Sequence, residues 1–349
     1  MTISANIAFI ANMNIGTVSA RYFQSAWQTC LTSGCEYSEL IEHCNLSGIN
    51  IMNPLFRPHG SMMIDLLHAA EAILEKKGIG IDVGQDFKPK TFRDIGYGSM
   101  FCDSIIGALN FNEKYQRLTQ EIGRTHIEVR GDEAAIVWTP FSDDTEYMRP
   151  ITDAVFGGYF TIGTWMTWIQ VKNFQSKVSF RHGPVPYADE FSIAFGCEIN
   201  FNASENSLTI PTSLAKAELP QRNTSMVRLI SSRLDEALVQ YGRSANYVTR
   251  TYDCLEALLP RGTPSIVQVA DLIGLTERTL RRKLDAEGTS FRQILENVRR
   301  LSCEILMRDS KMTLSEVAQR LGYSEQSAFN RAFKKWYGKT PKNYFSEGD

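Results

Sequence analysis

The stretch Val317-Ala318-Gln319-Arg320-Leu321-Gly322-Tyr323-Ser324-Glu325-Gln326-Ser327-Ala328-Phe329-Asn330-Arg331-Ala332-Phe333 decides the reading of this chain. The same plan stands earlier as Val269-Ala270-Asp271-Leu272-Ile273-Gly274-Leu275-Thr276-Glu277-Arg278-Thr279-Leu280-Arg281-Arg282-Lys283-Leu284. Each copy spells a helix, a tight turn and a second helix. Ala318 and Ala270 fall where the two helices must meet, and a larger side chain would push them apart. Gly322 and Gly274 follow four residues later, where the turn needs the positive φ that glycine adopts most easily. Ser324 and Thr276 are placed to cap the second helix. Phe329 and Phe333, like Leu280 and Leu284, recur at i, i+4 and are expected to face a small core. One Ala-x-x-x-Gly between apolar residues is common, and a basic helix face is usually only solvated. Two copies in one register are an internal repeat, and two helix-turn-helix units on one chain can enter successive major grooves of one duplex.

The faces left over are the candidate DNA readers. On the first unit's second helix they are Arg278, Arg281 and Arg282, with Thr279 beside them. On the second unit they are Gln326, Ser327, Asn330, Arg331 and Lys334. Arginine pairs bidentately with guanine O6/N7, and glutamine or asparagine with adenine N6/N7. Between the units, Phe291, Ile294, Leu295, Val298, Leu301 and Ile305 make one helical stripe, so Ser290 to Arg308 reads as a long joining helix. Thr289 and Ser290 are its cap candidates, and Arg292, Arg299 and Arg300 lie off the stripe. After Trp336-Tyr337 a helix is expected to end at Gly338, with a short turn from Pro341.

The chain's 349 residues are enough for two domains. A net charge of −2 hides a division: from Gly262 onward there are 15 basic and 11 acidic residues, about +4, leaving about −6 for the rest. Phosphate affinity is therefore expected from the C-terminal part alone. Seven cysteines are scattered with no Cys-x-x-Cys, the pattern of reduced thiols in a cytoplasmic protein, and no metal site or cofactor is expected. The opening residues do not read as a signal peptide, and the aromatic run from Gly157 to Ile169 is too short to span a bilayer. No membrane association is expected.

The first two hundred residues read as mixed α/β. Met62 to Lys77 is a helix stopping at Gly78, Ser99 to Leu109 reads as another, and Asn112 to Gly123 is helix-like along Tyr115, Leu118 and Ile122. Thr125 to Thr139 alternates as two strands around Gly131-Asp132. Tyr147 to Val171 reads as a long apolar helix interrupted by glycines, Lys177 to His182 as a strand, and Cys197 to Pro211 as a hairpin-like stretch. Pro220 to Ala245 is a helical connector whose stripe is Met226, Ile230, Leu234 and Leu238, packing on the N-terminal part or on a second subunit. Overall the chain is an α+β protein: a mixed α/β N-terminal domain (1–219), the connector (220–246) and an all-α C-terminal domain (247–349) with two helix-turn-helix units joined by a long helix.

The region from about Tyr247 to Phe345 resembles the DNA-binding domain of AraC/XylS-type transcription regulators. The stretch Leu321 to Pro341 carries the resemblance most fully. It implies a seven-helix module in which Arg278, Arg281 and Arg282 read bases through the first recognition helix. Gln326, Ser327, Asn330 and Arg331 lie in the second, which often contributes less. Phe180-Arg-His-Gly-Pro-Val-Pro-Tyr, with Phe195 to Asn202 and Asn206 to Pro211, is similar to the "arabinose-binding" effector domain of a subset that includes ornithine-utilisation and virulence regulators. The resemblance implies an activator that binds double-stranded promoter DNA, works with RNA polymerase and dimerises through its N-terminal domain or connector. Nothing in the residues marks a sugar site.

Other features read as structure. Gly78-Ile-Gly80-Ile-Asp-Val-Gly84 is off register for a nucleotide loop and reads as a turn plus strand. Cys197 lacks a nucleophile motif around it and reads as a structural thiol; no catalytic residue is assigned. Trp138, Tyr159, Phe160, Trp165 and Trp168 are candidates for lining a pocket for a small-molecule effector, although aromatics at helical spacing are more often plain core. The competing readings are an enzyme fused to a DNA-binding module and a regulator governed by a protein partner with no small-molecule effector.

Overall fold

The computed structural model describes residues 16–54, 56–169, 176–244, 247–307 and 312–346. The chain folds as two compact units that divide between Gln240 and Tyr241. The first unit is mixed α and β, and the second is all α.

The first unit opens with helices α1 (Ala20–Thr32), α2 (Tyr37–His43), α3 (Gly60–Ile73), α4 (Ile79–Gln85), α5 (Arg93–Met100) and α6 (Ile105–Tyr115). Strands β1 (Gly123–Arg130) and β2 (Glu133–Pro140) form the expected hairpin around Gly131, whose φ of +64° suits the turn. Helix α7 (Thr145–Thr167) follows, then β3 (Lys177–Ser179), α8 (Ala188–Phe195), β4 (Glu198–Asn200), β5 (Asn206–Pro211), α9 (Thr212–Ala215) and α10 (Thr224–Ser244). The sheet order is β1-β2-β5-β3-β4. Strand β2 lies inside the sheet, and Ala134 to Trp138 are buried on both its faces.

Several expectations change here, each for a local reason. The glycine-rich stretch after Gly78 is helix α4, not a turn plus strand. Gly80 and Gly84 stand one helical turn apart against α7. A Cβ on Gly80 would lie 2.1 Å from the Pro150 carbonyl oxygen, and one on Gly84 would lie 2.7 Å from Gly157 Cα. The alternation that looked strand-like is a glycine seam between two closely packed helices. The helices read at Ser99–Leu109 and Asn112–Gly123 shift. Ser104 caps α6, its hydroxyl accepting from the Gly107 N–H at 3.1 Å. Gln120 Oε1 then accepts from Ile122 and Gly123 N–H, which ends the helical run and starts β1. The stretch Cys197 to Pro211 is not a hairpin: β5 pairs antiparallel with β3, while β4 lies parallel on β3's other side. Helix α8 is the crossover that this parallel pairing requires. Helix α7 is capped by Asp144 and ends at Thr167, because Trp168 adopts the left-handed region, so it stops short of the expected Val171; residues 170 and 171 lie outside the described residues.

The second unit holds seven helices among the described residues: α11 (Tyr247–Leu258), α12 (Ile266–Ile273), α13 (Glu277–Ala286), α14 (Phe291–Met307), α15 (Leu314–Arg320), α16 (Gln326–Tyr337) and α17 (Pro341–Ser346). The turn expected from Pro341 is thus a short helix, as proline at a first helical position permits. Arg308 lies outside the described residues. No helix among the described residues is long and apolar enough to cross a membrane.

Candidate DNA interface and effector pocket

In the second unit both helix-turn-helix pairs share one apolar core. Val269, Ala270, Leu280 and Leu284 of the first pair join Val317, Ala318, Phe329 and Phe333 of the second through Ile294 and Val298 of α14. Ser265 and Gln268 cap α12 reciprocally. Gly274 ends α12 at φ +78°, and Thr276 caps α13 by accepting from the Thr279 N–H. With Leu280 and Leu284 buried, Arg278, Arg281 and Arg282 stand exposed on the opposite face. Arg281 is held by Glu277 one turn earlier, its Nη2 2.7 Å from Oε1. Thr279 is half-buried, with its hydroxyl 2.9 Å from that of Thr276, so it serves the cap.

The second pair differs in detail. Gly322 turns at φ +70° as expected. Ser324, however, does not cap α16: Glu325 is the N-cap and makes no side-chain cap bond. Gln326, Ser327, Arg331 and Lys334 are exposed, but Asn330 is half-buried and its Oδ1 is fully buried without a partner. Arg299 and Arg300, placed off the α14 stripe by sequence, are not surface groups. Arg300 is buried. Arg299 donates to the carbonyls of Leu321 (2.9 Å) and Gly322 (3.1 Å) and to the Thr263 hydroxyl (2.9 Å), and it covers the Tyr323 ring at 4.2 Å. Glu296 of the same helix accepts from Lys335 Nζ and from Trp336 Nε1. Helix α14 therefore grips the second pair at its turn and at the end of α16.

The first unit contains a pocket of about 140 Å³ between α5, α6, α7 and the sheet. Its lining is largely apolar and, among the described residues, carries no charged side chain. Of the five aromatic candidates, Trp138, Tyr159 and Phe160 line this pocket; Trp165 and Trp168 do not, and are 47% and 68% exposed. The α5 and α6 wall, with Ile95, Ser99, Ala108 and Asn112, carries no mark in the sequence that sets it apart. Gly163 of α7 also lines the pocket, and a Cβ there would meet nothing within 4 Å.

These features meet a family match. Residues 34–219 match the arabinose-binding N-terminal domain of AraC transcription regulators, and residues 269–347 match a helix-turn-helix domain. The chain belongs to the AraC family. It is a DNA-binding transcription regulator. This AraC-family chain is 23% identical to the ornithine utilization regulator of Pseudomonas aeruginosa, over 80% of this chain and 81% of that one. It is 32% identical to the transcriptional regulator VirS of Mycobacterium tuberculosis over 49% of each. The crystal structure of the transcriptional regulator CdpR from Pseudomonas aeruginosa aligns over 76% of this chain and 85% of its own, at 21% identity and a TM-score of 0.36.

In this AraC-family chain the segment Phe180 to Tyr187 serves a buried ionic cluster. Arg149 Nη1 lies 2.9 Å from Glu71 Oε1 and also meets the Tyr187 hydroxyl. That hydroxyl donates to Asp153 Oδ2 at 2.9 Å, and His182 Nε2 lies 3.5 Å from Asp153 Oδ1. Burial pushes the Asp153 carboxyl above its usual range. Burial acts on Glu71 in the same direction, but Arg149, the Gly78 N–H and Lys77 outweigh it and hold Glu71 low. Phe180 stacks on His182. The segment thus anchors β3 and the turn after it to α3 and α7. Burial pushes the Cys197 thiol up to about 11, the opposite of an activated nucleophile.

Proposed function

We propose that the chain is a transcription activator that reads promoter DNA chiefly through Arg278, Arg281 and Arg282, and whose N-terminal domain (1–219) senses a small-molecule effector. The observation that carries this reading is the pairing of an outward arginine face on a rigidly cored α13 with an uncharged pocket in the other unit. Effector occupancy has a physical route outward. Helices α5 and α6 wall the pocket on one side and hold α10 on the other. Tyr115 and Lys114 bind Asp235 at 2.9 and 2.7 Å, Arg233 meets Asp94 at 3.5 Å, and Ile230 packs by Gly98. A ligand shifts such an arrangement only by binding one state better than another. Ile230 and Leu234 bury the inner stripe of α10, while Leu229 and Val239 stay exposed on its outer face, a surface suited to a homodimer.

The test is a sequence-selection experiment on the full chain with all three arginines replaced by alanine. A changed consensus sequence is expected; an unchanged one removes the assignment. Promoter-driven transcription with purified RNA polymerase, with and without extracts of small metabolites, tests activation and response together.

A further inference from the structure

The pocket in the first unit is selective by what it lacks. Among the described residues, no aspartate, glutamate, lysine, arginine or histidine lines its 140 Å³. Three of its polar side chains are committed to the protein, and Tyr22 and Thr119 also stand on the lining. Gln116 accepts from the Thr125 N–H and donates to the Glu113 carbonyl. Gln120 spends its amide on Ile122 and Gly123. The Ser99 hydroxyl donates to the Ile95 carbonyl at 2.9 Å. The Thr125 and Tyr159 hydroxyls pair at 2.7 Å, which uses one of their two protons and leaves the other. Trp138, on the β2 wall, keeps a buried Nε1–H with no partner. Asn112 adds one neutral amide at the α6 side.

Size and chemistry then narrow the occupant. An engineered cavity of about 150 Å³ lined by Leu, Ile and Phe stays dry and holds benzene. A sugar would bring several hydroxyls here, and most would lose their water partners without replacement. A zwitterionic amino acid or a carboxylate would bring a charge with nothing to pair it, which is costlier still. We propose that the effector is an uncharged, mainly apolar molecule about one aromatic ring in size, carrying a single acceptor oxygen for the donors at Trp138 or at the Thr125–Tyr159 pair. The inference rests on reading this pocket as the effector site. It separates this chain from the sugar in its domain's description and from the amino acid in the name of its Pseudomonas relative.

The experiment uses the full chain and four probes at equal concentration: acetophenone, benzoate, L-arabinose and L-ornithine. Acetophenone at saturation is expected to raise Tm by about 3–6 °C, and the other three to leave it unchanged. Two pocket-filling variants control the location. Gly163→Leu adds a side chain where the helix leaves open space, and Ala108→Leu fills from the opposite wall. Both are expected to fold with Tm at or above that of the parent and to lose the acetophenone shift. Trp138→Phe is expected to weaken acetophenone about fivefold while leaving toluene unchanged. A shift with benzoate, arabinose or ornithine that the filling variants abolish overturns the proposal and leaves the effector reading standing. An acetophenone shift that survives both filling variants places the ligand elsewhere and overturns it too. No shift with any probe overturns the proposal, while the effector reading itself falls only if transcription is also indifferent to the metabolite extracts; the arginine-selection experiment stands apart from all of these outcomes.

Discussion

The two helix-turn-helix units are one pattern written twice, yet they are built to different ends. In the first, Thr276 caps the recognition helix, and three arginines, Arg278, Arg281 and Arg282, stand on the outward face of α13. In the second, Glu325 stands at the cap position without a side-chain bond, Asn330 turns partly inward, and the turn's carbonyls are held by Arg299. The first unit invests its polar groups in presenting a helix outward. The second invests them in being held by α14. Equal spacing in sequence thus does not mean equal work, and the reading of bases is expected to rest on the first unit.

The largest effect that would break this comparison is at Arg299. Arg299→Leu removes charged donors from two backbone carbonyls, an expected loss of about 2–4 kcal/mol in the second unit. Amide hydrogen exchange should show α15 and α16 losing protection before α12 and α13; equal protection throughout would mean that α14 does not hold the second unit. Next come the first unit's arginines. Alanine at Arg278 or Arg282 is expected to cost about 1–3 kcal/mol on the preferred site and to relax the base preference at one position, seen as a flattened column in a selection experiment. A uniform loss on all sequences would make them phosphate contacts instead. The caps give a smaller and sharper contrast. Thr276→Ala should destabilise by about 1 kcal/mol, whereas Ser324→Ala should stay within about 0.5 kcal/mol, as read from thermal melts. Smallest is the second recognition helix: Gln326→Ala with Arg331→Ala is expected to weaken binding about threefold, alike across sequences. A change of consensus there would show that both units read bases.

How much of this was legible follows from where the information lies. The helix-turn-helix pairs were readable because each depends on short-range facts: a small residue at a crossing, a glycine at positive φ, apolar residues at i, i+4. The hairpin at Gly131-Asp132 was readable for the same reason. The glycines at 78–84 were not, because a helix seam and a strand alternate alike until the partner helix is known. The order of β3, β4 and β5 depends on α8 crossing between strands, which no local pattern states. The pocket wall on α5 and α6 was hidden because Ile95, Ser99 and Ala108 look like any core residue, whereas aromatics stand out. Arg299 was read as lying off the apolar stripe, but its partners were not legible, because the carbonyls it meets belong to a turn more than twenty residues away in sequence.

That placement of Arg299 also sets how the protein answers to ionic strength. Duplex DNA carries condensed counterions, and a binding protein frees them in proportion to the phosphates it neutralises, with log K falling by about 0.9 per phosphate for each unit of log salt. Arg299 is committed to carbonyls and Arg300 is buried. These two supply part of the C-terminal unit's positive charge but offer little to displace ions from a phosphate chain. The slope of affinity against salt therefore records the arginines and lysines that stand on the outer faces, and the composition of the unit overstates it.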